Sequence, residues 1–168
     1  NVTVDQAVSG ESSVGGVVGL VDCVEAGTTV IQNVSKEHVT IFSDIDGGGI
    51  VGTIQNTNPD CNVNVRSVRN YGDVSPNNQE LGQQAGGIVG SIVDDGGGQT
   101  TINSAKNIGE IIANSYAAGG IVGLQSTTLG SNIATIINVQ NSGQVVGYQL
   151  GYGAGGIVGH VSGGARIS

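Results

Sequence analysis

The pentapeptide Gly-Gly-[Val/Ile]-Val-Gly occurs five times in this chain, and its regular spacing constrains the fold more than any other feature. The copies occupy residues 15–19, 48–52, 86–90, 119–123 and 155–159, so their starts are 33, 38, 33 and 36 residues apart. A period of this length is typical of proteins in which each repeat forms one coil of a stack. We therefore predict one repeat domain over residues 1–168, with about five coils of 33–38 residues.

The side chains available for a core favour an all-β fold. The chain has one Phe, four Tyr, no Trp and no Met, so Val and Ile must supply most of the buried volume. Its 31 glycines and only two prolines indicate short strands separated by tight turns rather than a collagen-like or proline-rich chain. A parallel β-solenoid of either hand and a stack of β-arches both fit this pattern, and neither contains helices.

The motif glycines are predicted to be structural. A glycine pair before two β-branched residues gives the backbone access to positive φ and allows neighbouring coils to approach closely. The predicted structural glycines are Gly15, Gly16, Gly48, Gly49, Gly86, Gly87, Gly119, Gly120, Gly155 and Gly156.

A second motif lies between successive glycine motifs, at residues 67–74, 104–111 and 138–145, and it reads as strand, Asn-x-Gly turn, strand. Asn70, Asn107 and Asn141 hold the same position in its three copies. Stacked coils would align these side chains, so we predict an asparagine ladder along the stack axis. The first unit diverges over residues 33–38, and we expect Lys36 to interrupt the ladder at one end.

Together the two motifs resemble the GLUG-type repeat of bacterial and archaeal surface proteins, in which a Gly-Gly-Ile-Val-Gly element alternates with an Asn-Cys-x-Asn-x-Gly-like element. The resemblance covers nearly the whole chain, although Val68, Ala105 and Val139 replace the cysteine of the family pattern. It implies a repeat fold and a surface location, and it implies no defined activity. In architecture and composition the chain is also similar to the sheath subunits that some methanogenic archaea stack into amyloid-like hoops.

The two ends of the sequence match successive parts of one repeat. Residues 165–168 align with 134–137, and residues 1–2 align with 138–139, which follow directly in the intact repeat. We therefore expect Ser168 of one molecule to abut Asn1 of the next, with a polymer junction formed by Asn1, Val2, Ile167 and Ser168. A segment taken from a longer array would show the same ends, and that alternative stays open.

Charge excludes several classes of partner. With 13 acidic and 5 basic residues, the net charge of −8 disfavours nucleic acid and anionic lipid. The longest apolar runs, about five residues, are too short to cross a bilayer, so no membrane insertion is expected. Sequons at Asn1 and Asn33 are compatible with a secreted, glycosylated chain.

No constellation of catalytic residues is evident, and we predict no enzymatic activity, cofactor or metal. His38 and His160 occupy different repeat positions without motif context. The acidic segments 44–47 and 94–96 match neither an EF-hand nor the calcium-binding nonapeptide, so turn carboxylates in solvent are the better interpretation.

Cys23 and Cys61, 38 residues apart, lie in the same loop region of adjacent coils and are disulfide candidates. The bond could form within one chain or between neighbouring polymers.

These features predict a structural subunit that assembles head to tail by amyloid-like strand stacking into an extracellular filament, hoop, sheath or surface layer of the cell envelope. Its partner would be another copy of itself, with possible lateral contacts between polymers. The alternative is an adhesin stalk or binding module that presents loops 75–84 or 94–100 to a glycan or a host protein.

Overall fold

The computed structural model describes residues 2–76, 83–114, 116–127, 134–148 and 153–162, and within these ranges it contains 22 strands and no helix. The strands are β1 (Val2–Val4), β2 (Val8–Gly10), β3 (Val14–Gly15), β4 (Val18–Cys23), β5 (Gly27–Gln32), β6 (Val34–Lys36), β7 (Ile41–Ser43), β8 (Asp46–Gly48), β9 (Val51–Asn56), β10 (Cys61–Asn70), β11 (Val74–Pro76), β12 (Gln84–Gly86), β13 (Val89–Asp94), β14 (Gln99–Asn107), β15 (Ile111–Ala113), β16 (Ala117–Gly119), β17 (Val122–Thr127), β18 (Thr135–Ile137), β19 (Gln140–Asn141), β20 (Val145–Gly147), β21 (Ala154–Gly155) and β22 (Val158–Ser162).

The strands form four parallel sheets, which the chain visits in the same order in every coil. Sheet A contains β1, β5, β6, β10, β14, β18 and β19; sheet B contains β2, β7, β11, β15 and β20; sheet C contains β3, β8, β12, β16 and β21; sheet D contains β4, β9, β13, β17 and β22. This arrangement is a β-solenoid of five strand levels and about four turns, which confirms the predicted fold class. Four sheets per coil distinguish it from a stack of β-arches, which has two facing layers.

Equivalent residues of successive repeats lie in register from coil to coil. Val51 pairs with Val18 on one side and with Val89 on the other, and the same column continues through Val122 to Val158. The repeat period thus becomes a set of straight columns along the solenoid axis.

The core is thin and mainly aliphatic. Its larger part lies between sheets A and D, where Val63, Val65 and Ile92 are almost completely buried. A smaller part lies between sheets B and C and includes Ile41, Val74 and Ala85. Val, Ile and Ala fill both parts, because opposed sheets of such a narrow coil leave little room for large aromatic rings.

A left-handed residue bends sheet A in four successive coils. Asn33, Ser67, Ser104 and Asn138 have φ values of 56°, 52°, 56° and 53° and form one column. In β10 the usual alternation of buried and exposed side chains breaks here, since Arg66 and Ser67 are both exposed and Val68 is buried. Asparagine tolerates this conformation better than serine, so the serines accept it because the coil requires it.

Close approach between coils, rather than backbone handedness, accounts for the motif glycines. None of the ten predicted structural glycines has positive φ, and among the described residues Gly97 is the glycine that does, at 82°. A Cβ atom on Gly87 would overlap the carbonyl oxygen of Gly120 in the next coil, and one on Gly48 would overlap that of Val51. The expected left-handed backbone at these positions was therefore wrong, and space excludes a side chain at all of them except Gly156.

Candidate functional site

The structure brings the three asparagines of the second motif together in one ladder. Asn70 Nδ2 donates to Asn107 Oδ1 over 2.8 Å, and Asn107 Nδ2 donates to Asn141 Oδ1 over the same distance. Asn70 and Asn107 are fully buried. Because buried amides are costly when unpaired, a ladder in which each amide bonds the next fixes the register of the coils.

Each ladder asparagine also closes its own turn. The Nδ2 groups of the three asparagines donate to the carbonyl oxygens of Gly72, Gly109 and Gly143, at 2.7, 2.9 and 3.0 Å. These glycines leave no room for a side chain, since a Cβ atom on Gly109 would overlap the carbonyl oxygen of Gly72 in the preceding coil. The spacing Asn-x-Gly therefore serves both the turn and the ladder.

Lys36 holds the next position in the same column. It pairs in register with Val4 on one side and Asn70 on the other, and its side chain is fully buried. Its Nζ donates to Asn70 Oδ1 over 3.2 Å and to the carbonyl oxygen of Val39. Burial lowers the pKa of Lys36 to about 8, partly opposed by the nearby negative charge of Asp73.

Cys23 and Cys61 form a disulfide within one chain, with their Cα atoms 6.2 Å apart. Cys23 ends β4 and Cys61 begins β10, so the bond joins the corner between sheets D and A across neighbouring coils. Both sulfur atoms are used in this bond. The pairing therefore leaves no thiol for a bond between polymers, which was the second possibility drawn from the sequence.

Two backbone bonds of the glycine motif recur in the same direction between successive coils. In each coil the N–H of the second motif glycine donates to the carbonyl of the first motif glycine in the next coil, over 3.0 to 3.3 Å: Gly16 to Gly48, Gly49 to Gly86, Gly87 to Gly119 and Gly120 to Gly155. The N–H of the motif valine likewise donates over 2.9 to 3.1 Å: Val18 to Ile50, Val51 to Ile88, Val89 to Ile121 and Val122 to Ile157.

This direction gives the two outer coils complementary edges. By register, the first coil presents the carbonyl groups of Gly15 and Val17, and the fifth presents the N–H groups of Gly156 and Val158. The outer coils are also less buried than the inner ones: Val51 and Val122 are fully buried, whereas Val18 and Val158 in their column are only half-buried. A Cβ atom on Gly156 would meet nothing within 4 Å, unlike one on Gly120.

Of the predicted junction residues, only Val2 lies in the described part of the chain. It belongs to β1, pairs with Val34 and is 49 % exposed. Its N–H donates to the carbonyl oxygen of Asn33 over 3.4 Å, so it bonds the second coil. Asn1, Ile167 and Ser168 fall outside the described residues.

The carboxylates of the two acidic segments do not project into solvent as expected, since Asp94 is buried and one oxygen each of Asp44 and Asp46 is buried. Asp94 Oδ1 accepts the N–H of Gly97 over 2.9 Å, and Asp46 Oδ2 accepts the hydroxyl of Thr53 over 3.0 Å. Burial raises the pKa of Asp46 to about 6, and it also raises the pKa of Asp94. In the described ranges no group of three or more His, Cys, Asp or Glu side chains could hold a metal ion.

The two histidines lie far apart in the coil stack, each beside a tyrosine. The rings of His38 and Tyr71 have centroids 5.6 Å apart, and those of His160 and Tyr116 are 5.8 Å apart. The structure does not bring the histidines together with each other.

A cluster of cations on the outer face of sheet A was not predicted from the sequence. Arg66 and Arg69 flank the left-handed residue Ser67, and Lys106 is the register partner of Arg69 in the next coil. One signal could have revealed it, because Arg69 and Lys106 each directly precede a ladder asparagine. Side chains next to an inward-facing residue of a strand point outward, so equal positions in successive repeats make a row.

Comparison with known proteins gives one similar sequence. The chain is 27% identical over 146 residues to Halomucin of Haloquadratum walsbyi, a match that covers 84% of this chain and 2% of Halomucin. No protein-family model matches the chain, so the resemblance to the GLUG-type repeat stays unconfirmed, and no solved structure matches it. No helix in the described residues is long and apolar enough to span a membrane.

Proposed function

We propose that this chain is a structural component of the cell surface whose coils stack head to tail on the coils of neighbouring copies, forming a filament, hoop or sheath. The likeness to Halomucin and the β-solenoid fold support a cell-surface protein. We propose no catalytic role and no cofactor.

The complementary edges of the outer coils carry this proposal. The N–H groups of Gly156 and Val158 face one end of the stack, and the carbonyl groups of Gly15 and Val17 face the other. Inside the chain the same four groups join every pair of neighbouring coils. Open strand edges are templates for pairing with another chain. Because all strands are parallel, the edge of the fifth coil matches the edge of the first, which favours a heterologous contact that generates a filament or a ring.

The asparagine ladder would not continue across such a junction. Asn141 ends the ladder in the fifth coil, and the equivalent residue in the first coil of the next copy is Val4. Each copy would thus contain its own ladder, bounded by Lys36. Cohesion between copies would come from backbone hydrogen bonds and from aliphatic columns such as the one joining Val158 to Val18.

Replacing Gly156 with alanine tests the proposal directly. Nothing lies within 4 Å of a Cβ atom at this position, so the variant should fold normally. In a head-to-tail junction the added methyl group would overlap the carbonyl oxygen of Gly16 of the next copy, as a Cβ atom on Gly120 would overlap that of Gly156. We expect unchanged circular dichroism and thermal unfolding, but no filaments in electron micrographs.

Gln144→Ala, which alters an exposed side chain of the same coil, is the matched control and should assemble like the parent. Thr3→Pro acts at the opposite end. Val2 and Val4 bond the second coil, so Thr3 between them faces the open edge, and its N–H can be removed without loss of an internal bond. Filaments of undiminished length from both Gly156→Ala and Thr3→Pro would contradict the proposed junction.

An adhesin stalk is the second candidate, because the match covers only 2% of Halomucin, so a segment similar to this chain occurs within a much longer protein. Such a stalk would use the same coil contacts within one polypeptide and present its loops outward. Loop 94–100 lies in the described part of the chain, whereas loop 75–84 lies partly outside it. Monodisperse monomers of the purified chain at high concentration would favour the stalk over the filament.

A further inference from the structure

We propose that the outer face of sheet A is a lateral interface between two side-by-side copies, in which the basic end of the face in one copy meets its acidic end in the other. This inference rests on the proposed function in one respect: axial stacking repeats the lateral contact along an assembly. It concerns a different surface from the coil edges.

The basic end of the face concentrates the cations of an acidic protein. The whole chain has five basic residues, and Arg66, Arg69 and Lys106 lie together here. Arg69 borders a groove of about 500 Å³ whose lining includes Ser67 and Ser104. Arg66 Nε donates to Gln32 Oε1 over 2.8 Å, but within the described residues none of the three cations forms an ion pair.

Two of these cations are placed unfavourably unless an anion lies against them. Arg69 and Lys106 are direct register partners on neighbouring strands of sheet A. Like charges directly opposite each other destabilise a pair of strands. Carboxylates of a partner would remove this repulsion, so the arrangement favours an acidic occupant.

The acidic end lies at the corner where the chain enters sheet A. Asp22, Glu25 and Asp60 are all exposed there, on both sides of the Cys23–Cys61 disulfide. Asp22 and Glu25 border a shallow groove that also includes Thr28 and Thr29 at the start of β5. The negative charge of this surface is therefore complementary to the positive charge of the basic end.

The surface between the two ends carries no charge. Residues 27–32, 61–65 and 99–103 contain neither acidic nor basic side chains, and their outward positions are mainly Thr and Asn, with Val30 45 % exposed. Arg66 follows Cys61 by five residue steps in β10, a distance of roughly 16 Å along the strand. Opposite charges therefore lie at the two ends of one neutral face.

A two-fold axis parallel to the solenoid axis satisfies both ends at once. It turns the face of the second copy over and reverses its strand direction, so each basic end faces an acidic end. It also leaves the solenoid axes parallel, which allows both copies to continue stacking. We therefore assign the outer face of sheet A to contact with a second copy of the chain.

The size of the face explains why the contact should depend on assembly. Four strand levels of roughly ten residues give an area of about 600 Å², below the roughly 800 Å² per partner of a typical stable interface. A single pair of chains would thus associate weakly. Pairs of stacked assemblies would repeat the contact with every copy and form bundles.

Carbodiimide crosslinking tests the interface, because it joins lysine amines to carboxylates in direct contact. The chain contains only two lysines, and Lys36 is fully buried, so Lys106 is the reporter. Unlabelled and heavy-isotope-labelled chains are mixed, crosslinked and digested, and mixed-label peptides identify bonds between chains. We expect Lys106 joined to Asp60, the acidic-end carboxylate that lies nearest to its strand level, with at least a fivefold lower yield at about 1 M NaCl, where charges are screened beyond about 3 Å.

Charge reversal supplies the variants. Arg69→Glu and Glu25→Arg should each abolish the mixed-label product and the bundles, and the double variant should restore both. Glu11→Arg, an exposed change outside sheet A that adds no lysine, is the matched control and should retain them. Mixed-label products at other carboxylates, or equal yields in all variants, would overturn the proposal.

Two further outcomes separate this inference from the proposed function. Lys106 crosslinks in the Gly156→Ala variant without filaments would support the lateral interface independently of axial stacking, whereas single filaments without Lys106 crosslinks would support stacking and overturn the interface. Binding of dextran sulfate that depends on Arg69, without any crosslink between chains, would also overturn it and assign the groove to a polyanionic glycan.

Discussion

Lys36 Nζ donates a hydrogen bond to Asn70 Oδ1 over 3.2 Å, so the buried ladder of asparagine side chains ends on a lysine. The ammonium group fits because residue 72 is glycine, where a Cβ atom would overlap Nζ. Lys36 therefore occupies the ladder column but cannot transmit it, since lysine donates hydrogen bonds and accepts none. The column reads Val4, Lys36, Asn70, Asn107 and Asn141 from the first coil to the fifth.

Replacing Lys36 with methionine should remove a pH dependence of stability. The pKa of Lys36 is about 8 in the folded chain and 10.5 ordinarily, so between these pH values the unfolded chain holds a proton that the folded chain has released. The free energy of unfolding of the parent should therefore rise from pH 8 to pH 10.5. Urea unfolding across this range should show the rise in the parent and its loss in Lys36→Met. Lys106→Met, which removes the other lysine, should keep the rise. An unchanged slope in Lys36→Met would show that burial does not lower the pKa of Lys36.

Breaking the ladder at its centre should cost more than removing a similar amide outside it. Asn107→Ala removes the side-chain hydrogen bonds of Asn107 to Asn70, Asn141 and the carbonyl oxygen of Gly109, although Asn70 Nδ2 keeps the carbonyl oxygen of Gly72 and Asn141 Oδ1 keeps the N–H of Gly143. A lost hydrogen bond costs about 0.5–1.5 kcal/mol, so we expect a loss of about 2–4 kcal/mol in the free energy of unfolding. Asn103→Ala on the same strand, with its side chain on the outer face, should lose under about 1 kcal/mol. Equal losses in chemical denaturation would show that the ladder contributes no special stability.

Asp46 should make the fold more stable in mild acid. Its pKa is about 6 in the folded chain against an ordinary 3.8, so between these values the folded state holds a proton that the unfolded state has lost. The contribution of Asp46 to the free energy of unfolding should therefore fall as the pH rises from 3.8 to about 6. Asp46→Asn should abolish this component and raise the melting temperature at pH 7 relative to the parent. Asp5→Asn, at an exposed position, supplies the reference, and a parallel pH profile for Asp46→Asn and the parent would rule the assignment out.

Loss of the disulfide should lower stability without changing the covalent mass of the chain in denaturing gels. The bond closes a loop of 38 residues, and such a bond contributes about 2–4 kcal/mol. Cys23→Ser with Cys61→Ser should show this loss in urea unfolding, and added reductant should have no further effect on that variant. Disulfide-linked dimers of the parent in a non-reducing gel would instead indicate bonds between chains.

The placement of the repeat residues could be predicted from the sequence, because equal positions in successive coils must stack. Periodicity alone placed Asn70 beside Asn107 and Gly87 beside Gly120. It could not reveal that Ser67 and Ser104 adopt left-handed backbone, since serine has no strong preference for that conformation. It also assigned a left-handed backbone to the motif glycines, whereas backbone of the same coil excludes a side chain at Gly48 and backbone of the next coil excludes one at Gly87.

At the candidate assembly surfaces, too, the repeat predicts which residues align but not which way their side chains and backbone groups face. That Arg69 and Lys106 lie one above the other follows from the repeat, but that Arg66 and Arg69 are exposed on the same face depends on the kink at Ser67. The direction of the hydrogen bonds at Gly156 and Gly15 likewise depends on how each strand is turned about its own axis. Neither property is encoded in the spacing of residues.

By itself, the sequence determined the period, the aliphatic nature of the core and the columns into which equivalent residues fall, since a regular repeat allows only one self-consistent register. The tertiary structure decided how many sheets each coil contains, which cysteine sulfurs meet and which backbone groups face each end of the stack. These outcomes depend on the angles between successive strands, which arise from the packing of whole coils against one another.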